Sequence, residues 1–153
     1  MDIQLKPIGI VHSPFKDKED VKRERHRDEK GFSDIKGEVE IYPEFSQGLE
    51  DIDGFSHLVV IFAFHKSPAG HLKAHPPFDR KERGVFATRS PHRPNPIGMT
   101  VVRFHGRCGS SLHISGFDMI EGTPVLDIKP YTRRDLKPEA RFGWLDENKE
   151  EKT

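Results

Sequence analysis

One cysteine, Cys108, is present among 153 residues. That excludes an internal disulfide framework and any zinc site built from several thiolates. No apolar run approaches the roughly 18–20 residues of a membrane-spanning helix, and the opening Met1-Asp2-Ile3-Gln4-Leu5-Lys6 lacks the basic-then-apolar layout of a secretory signal. A cytoplasmic protein without a membrane partner is the expectation. Neither charge is in excess: 25 Lys+Arg face 25 Asp+Glu. That balance argues against a uniformly basic nucleic-acid coat and against a polyanionic tail. Hydrophobic residues are also scarce at 33%, a lean supply for one domain of this length. There is no G-x-G-x-x-G after a strand, no G-x-x-x-x-G-K-[ST] and no G-x-S-x-G. Rossmann, P-loop and nucleophile-elbow sites are therefore not signalled.

The zero net charge hides an uneven distribution. Residues 1–65 carry 9 basic and 14 acidic side chains, residues 66–107 carry 9 and 2, and residues 108–153 carry 7 and 9. His71, His75, His92 and His105 add to the basic middle. Such clustering is the footprint of a site for phosphate or carboxylate ligands, the alternative being a solvated basic surface. Residues 16–30, KDKEDVKRERHRDEK, hold thirteen charged residues of fifteen, with Val21 the lone apolar one. No helix or strand face here offsets its ordering entropy by burial, so a mobile surface arm is expected. It is either merely solvated or an RNA contact through Arg23, Arg25 and Arg27. Residues 146–153 are expected to be a disordered tail.

Short apolar stretches between Gly and Pro punctuation predict seven strands, near 8–11, 37–42, 58–64, 84–88, 99–105, 112–117 and 123–128. The run Leu58 to Phe64 suits a central strand covered on both faces. Helical periodicity is limited to short turns near 47–53 and 133–140. One all-β domain over 1–145, a barrel or sandwich, is the expected fold. His71 and His75 have the i, i+4 spacing of metal ligands on a helix, but Gly70 and the Pro76-Pro77 pair argue against a helix, so no metal site is expected.

The segment 84–100, GVFATRSPHRPNPIGMT, stands out. Pro91, Pro94 and Pro96 fix φ and stiffen the loop, and it carries Arg89, His92, Arg93 and Asn95. Preorganised donors on a rigid loop are what anion recognition requires, the alternative being an elaborate turn with arginines in surface ion pairs. This segment, with IGIVHSP (8–14), LEDIDGFSHLVVIFAFHKS (49–67) and EGTPVLDIKPY (121–131), resembles the TsaA-like family over nearly all of residues 6–131.

The resemblance implies a small β-barrel, S-adenosylmethionine as methyl donor, and methylation at N6 of threonylcarbamoyladenosine beside the tRNA anticodon. It also implies a homodimer with the cofactor near the subunit interface. Cofactor contacts would fall on His65, Lys66, Arg89, Met99 and the backbone of Gly122, Thr123 and Pro124. His92, Arg93, Asn95 and Arg25 are candidates for tRNA contact, and no DNA partner is expected. On the residues alone, His65 also reads as a strand-end histidine, Met99 as core and Thr123-Pro124 as a plain turn. Two features depart from the family pattern. The charged arm replaces a proline/glycine-containing cofactor loop, matched only by Gly31, and the chain stops soon after 145, without the extra domain of longer bacterial members. The tRNA would then be held by the basic middle or through a partner.

Methyl transfer from a sulfonium needs alignment more than acid catalysis. The adenine N6 must still lose a proton, for which Asp127 is the candidate acceptor, with a backbone carbonyl or the substrate's own groups as alternatives. Arg89 or Arg93 suits a cofactor or threonyl carboxylate through bidentate pairing. A cofactor- or RNA-binding barrel without turnover, or a methyltransferase for another acceptor, is the competing reading.

Overall fold

Alternation decides the strands. In β3 (His57–Ala63) Leu58, Val60 and Phe62 are buried while the residues between them are half-exposed. The same rule turns Val11 of β1 (Gly9–His12) and Val39 and Ile41 of β2 (Lys36–Ile41) inward. Val102 and Phe104 of β6 (Ile97–Cys108), Leu112 and Ile114 of β7 (Ser111–Ser115) and Val125 of β8 (Pro124–Pro130) follow it as well. These side chains form one core with Leu49, Phe117 and Met119. The computed structural model describes residues 1–27, 30–77 and 79–147.

The six strands pair in the order β1-β2-β7-β6-β3-β8 and close into a barrel, every pair antiparallel. Closure leaves no open sheet edge. Gly98 of β6 permits tight packing: a Cβ there would stand 2.6 Å from the Phe62 ring and 2.7 Å from the Phe64 ring. Those rings meet edge to face at 5.1 Å. Among the described residues no helix is long and apolar enough to cross a membrane.

The structure departs from the sequence reading in particular places. The barrel has six strands rather than seven, because 84–88 is not a strand. A two-residue β5 (Arg83–Gly84) pairs with β4 (Lys73–Ala74), and Val85–Ala87 is a 3₁₀ turn. Thr88 closes that turn by donating both its amide (3.0 Å) and its hydroxyl (2.9 Å) to the Val85 carbonyl. Local bonding of this kind competes with strand pairing. The outward face of β3 is half-exposed rather than covered. The turns expected near 47–53 and 133–140 are 3₁₀ turns at Pro43–Leu49 and Arg133–Asp135.

Within the charged arm, α1 (Lys18–Arg25) forms although it buries no residue. Asp17 caps it by accepting from the Asp20 amide at 3.0 Å, acidic residues occupy its first turn and basic ones its last, and Arg23–Asp20 and Arg27–Glu24 pair at i, i+3. Capping and charge order, rather than burial, supply its stability. The rest of the arm at 28–29 and the expected tail from 148 lie outside the described residues.

The chain divides into two compact units. Met1–Lys66 with Ile97–Tyr131 makes the barrel; Ser67–Pro96 with Thr132–Thr153 makes the second unit. In the latter, Arg83 pairs with the buried Asp79 at 2.7 Å and lies over the Trp144 ring at 4.8 Å, Trp144 opening the short α2 (Trp144–Glu147). The charge follows this division. The second unit holds 12 basic and 8 acidic side chains and the barrel unit 13 and 17.

Candidate functional site

In the barrel unit three separate stretches meet. His65 and Lys66 emerge just past β3. The Lys66 ammonium donates to the Lys16 carbonyl at 3.4 Å, and the Glu121 amide donates to the Phe15 carbonyl at 2.6 Å. Ser13 donates its amide to the Glu121 carboxylate at 2.9 Å and its hydroxyl to the Met119 carbonyl at 2.6 Å. Gly122 turns with φ 83° and donates to the Val11 carbonyl at 2.9 Å. A Cβ at Gly122 would stand 3.8 Å from His65 Nε2, so the imidazole lies against this turn. Desolvation, aided by the Lys66 charge, holds the His65 pKa below its ordinary value. The ring is then neutral at pH 7, with one nitrogen able to accept.

The other expected contacts of the barrel unit are placed differently. Thr123 is buried, and its hydroxyl (2.7 Å) and amide (3.2 Å) both donate to the Ile120 carbonyl. Its carbonyl accepts from Val11 at 2.9 Å, so Thr123 shapes the turn with no polar atom left over. Pro124 pairs with Ile10 at the start of β8. Met99 and Asp127 sit either side of Ile61, in register across three strands, which puts them in one outward row. Met99 is 44% exposed and not core. Asp127 accepts from the Ile128 amide at 2.9 Å and pairs with Lys129 at 2.9 Å. Asp127 is among the residues that line a cleft of about 520 Å³ with Ile8, Phe45, Phe55 and Ile128. Gly31 follows α1 with φ 58°. Desolvation raises the Asp118 pKa, and the charge of Arg25, in α1, opposes that rise.

In the second unit, the proline-braced loop sorts its own polar residues. Arg93 donates to the Thr88 carbonyl at 2.9 Å and the Ser90 carbonyl at 3.2 Å, and its own carbonyl accepts from Gly70 at 3.0 Å. His92 Nδ1 lies 3.2 Å from the Pro68 carbonyl, and its ring is 5.6 Å from that of His71. These two residues brace the loop. Arg89 and Asn95 remain exposed. The stretch from His71 to His75 is not helical, and no group of three or more metal-ligating side chains exists among the described residues.

The family model of the tRNA-methyltransferase O N-terminal domain matches residues 10–135. The chain belongs to the tRNA-methyltransferase O family. A probable S-adenosyl-L-methionine-binding protein of Pyrococcus abyssi is 47% identical over 147 residues, 95% of this chain and 78% of that protein. The tRNA (adenine(37)-N6)-methyltransferase of Rattus norvegicus is 38% identical over 154 residues, 94% of this chain and 35% of that enzyme. The crystal structure of TrmO from Pseudomonas aeruginosa superposes with a TM-score of 0.75 at 37% identity, covering 95% of this chain and 62% of that one. This chain thus spans about a third of the rat enzyme and under two thirds of the bacterial structure.

Three residues without a role assigned from the sequence, His12, Ser13 and Glu121, join the opening motif to the EGTPV turn. His12 Nδ1 lies 3.1 Å from Glu121, and its Nε2 lies 3.3 Å from Glu40 of β2. The only sequence signal for this clamp is that each partner stands inside a motif already singled out. Desolvation opposes the charge on His12, but its two carboxylate partners outweigh it, so its pKa is raised. The Glu121 pKa is lowered despite desolvation, by the Ser13 amide and by His12. A raised histidine pKa stabilises the fold fully below the unfolded value near 6.5 and loses that contribution as pH rises through the folded value. A depressed glutamate pKa stabilises above its unfolded value and is lost as pH falls through the folded one. Urea midpoints should therefore decline as pH rises from about 6.5 through the folded His12 value. His12→Gln should flatten that decline; an unchanged slope would show that His12 does not cause it.

Proposed function

We propose that the protein is an S-adenosylmethionine-dependent methyltransferase acting on N6 of threonylcarbamoyladenosine next to the tRNA anticodon, in the cytoplasm. The observation that carries this reading is that stretches 12–16, 65–66 and 119–123, all inside the continuous family match, meet around His65 and Gly122. When bound, S-adenosylmethionine supplies a methyl group on a positively charged sulfur that leaves as a neutral thioether. The residues fit that donor in kind. A neutral His65 adds no charge of its own to that of Lys66 beside it, whose ammonium is taken up by the Lys16 carbonyl. In the second unit, taken by itself, the exposed Arg89 has the fork that suits a carboxylate.

Asp127 remains the proposed acceptor of the N6 proton; the neutral ring of His65, against the Gly122 turn, is the second candidate. Incubating tRNA with the protein and labelled cofactor, followed by nucleoside mass spectrometry, tests the activity. Methylated threonylcarbamoyladenosine is the expected product. Cofactor binding without turnover would replace the enzyme by a binding module, and a different product would replace the substrate. In the same assay Asp127→Asn and His65→Gln assign the acceptor, because only the true one lowers kcat at saturating cofactor.

The proposed homodimer rests on the outward face of β3 and β6, where Ile97, Met99 and Val101 are exposed at 39–44% beside half-exposed Val59, Ile61 and Ala63. A continuous apolar strip of this kind suits burial against a second copy. Sedimentation should give a dimer that Met99→Asp dissociates; a monomeric wild-type protein removes the proposal.

A further inference from the structure

Phe86 lies inside the most distinctive motif of the chain, yet it is 77% exposed. A lone exposed apolar side chain is ordinary on a protein surface. Phe86 differs in how it is held. Val85 beside it is 1% exposed, and the Val85 amide donates to the Leu72 carbonyl at 2.9 Å. The Val85 carbonyl accepts both donors of Thr88, and the Ala87 carbonyl accepts from the Trp144 indole at 2.8 Å. The Thr88 and Ser90 carbonyls are held by Arg93. With the backbone on either side so tied, the turn has little freedom to fold the phenyl ring inward.

The surroundings select a partner. The second unit carries the positive share of the charge, 12 basic against 8 acidic side chains. Of its arginines close to Phe86 in the chain, Arg83 is engaged by Asp79 and Trp144, and Arg93 by the loop carbonyls. Arg89, three residues beyond Phe86, is exposed. A rigid, outward aromatic face with cations near it in the chain matches single-stranded nucleic acid, whose bases stack on aromatics while its phosphates pair with basic side chains. An apolar protein partner would gain nothing from the excess positive charge.

We infer that Phe86 is a stacking platform for an unpaired nucleobase of the RNA substrate. This rests on the tRNA reading above and adds to it the residue that grips a base. A single stacked base accounts for roughly a ten- to hundred-fold change in affinity.

The test uses the full chain and an anticodon stem-loop RNA carrying 2-aminopurine in the loop. Phe86→Ala should weaken RNA binding about ten-fold or more and abolish the stacking quench, while Phe86→Trp retains both. Calorimetry with S-adenosylmethionine and the urea midpoint should match wild type for both variants, because the ring is outside the core. Equal RNA affinity for wild type and Phe86→Ala would overturn the stacking role and leave the tRNA reading standing. Failure of the wild-type protein itself to bind RNA would remove both. If Phe86→Ala lost cofactor affinity or stability as well, the residue would be structural. A change in sedimentation without a change in RNA affinity would make it a contact between copies. Either result overturns the inference.

Discussion

Leu58→Ala is expected to lower stability by about 2–5 kcal/mol, the usual cost of emptying a fully buried leucine site. Leu58 is completely buried in the barrel core. It stands opposite Val102 on β6 and Pro130 on β8, so both neighbouring strands restrict collapse around a cavity. The core it belongs to is small, fourteen buried residues among those described, which leaves few others to repack. Leu5 is 60% exposed, and Leu5→Ala should change stability by no more than about 0.5 kcal/mol. Urea unfolding of the two variants provides the comparison. Similar midpoints for both would contradict the inward orientation of β3.

The second large effect is functional. Arg89→Ala should reduce kcat/KM for tRNA methylation by roughly ten- to a hundred-fold, the value of a charge-assisted hydrogen bond of about 1.5–3 kcal/mol. Arg89→Lys keeps the charge but loses the planar fork, so it should recover little of that activity. Stability should be unaffected in either case, because the side chain is exposed. Arg93 provides the contrast. Its guanidinium is bonded to the Thr88 and Ser90 carbonyls, so Arg93→Ala should loosen the loop as a whole. Wild-type kinetics in Arg89→Lys would remove Arg89 from the site.

Much of the barrel was legible because its code is local. Val39 and Ile41 alternate with Glu38 and Glu40, and the structure buries the first pair and leaves the second at the surface. The run from Leu58 to Phe64 fails to alternate in sequence, since both faces are apolar, and it suggested a strand covered on both sides. Its outer residues are half-exposed instead. The segment 84–88 looked like a strand by composition, but Thr88 closes a 3₁₀ turn that composition does not reveal. The arm at 16–30 has no apolar face to bury, yet α1 forms through the Asp17 cap and i, i+3 ion pairs.

The site divides along the same line. The family motifs name residues by position in the chain, so His65, Lys66, Arg89 and Gly122 are candidates from the sequence alone. Which of them retain free polar groups is not legible there. Thr123 turns its hydroxyl and amide on Ile120, Arg93 turns its guanidinium on its own loop, and Asp127 is held by Lys129. Each of these is a hydrogen-bond choice made among partners that meet only after folding.

By itself, then, the sequence determined an antiparallel β fold, a family, and a charge balance that is zero only as a sum. Period-two alternation, proline-fixed turns and residue identity are local properties, and they survive without coordinates. Tertiary structure decided the closure into six strands, the His12–Glu121 clamp across 109 residues of chain, and the outward Phe86. It also divided the charge between two units. Those features depend on which distant groups become neighbours, and the free energy of a hydrogen bond or a buried ring exists only once they do.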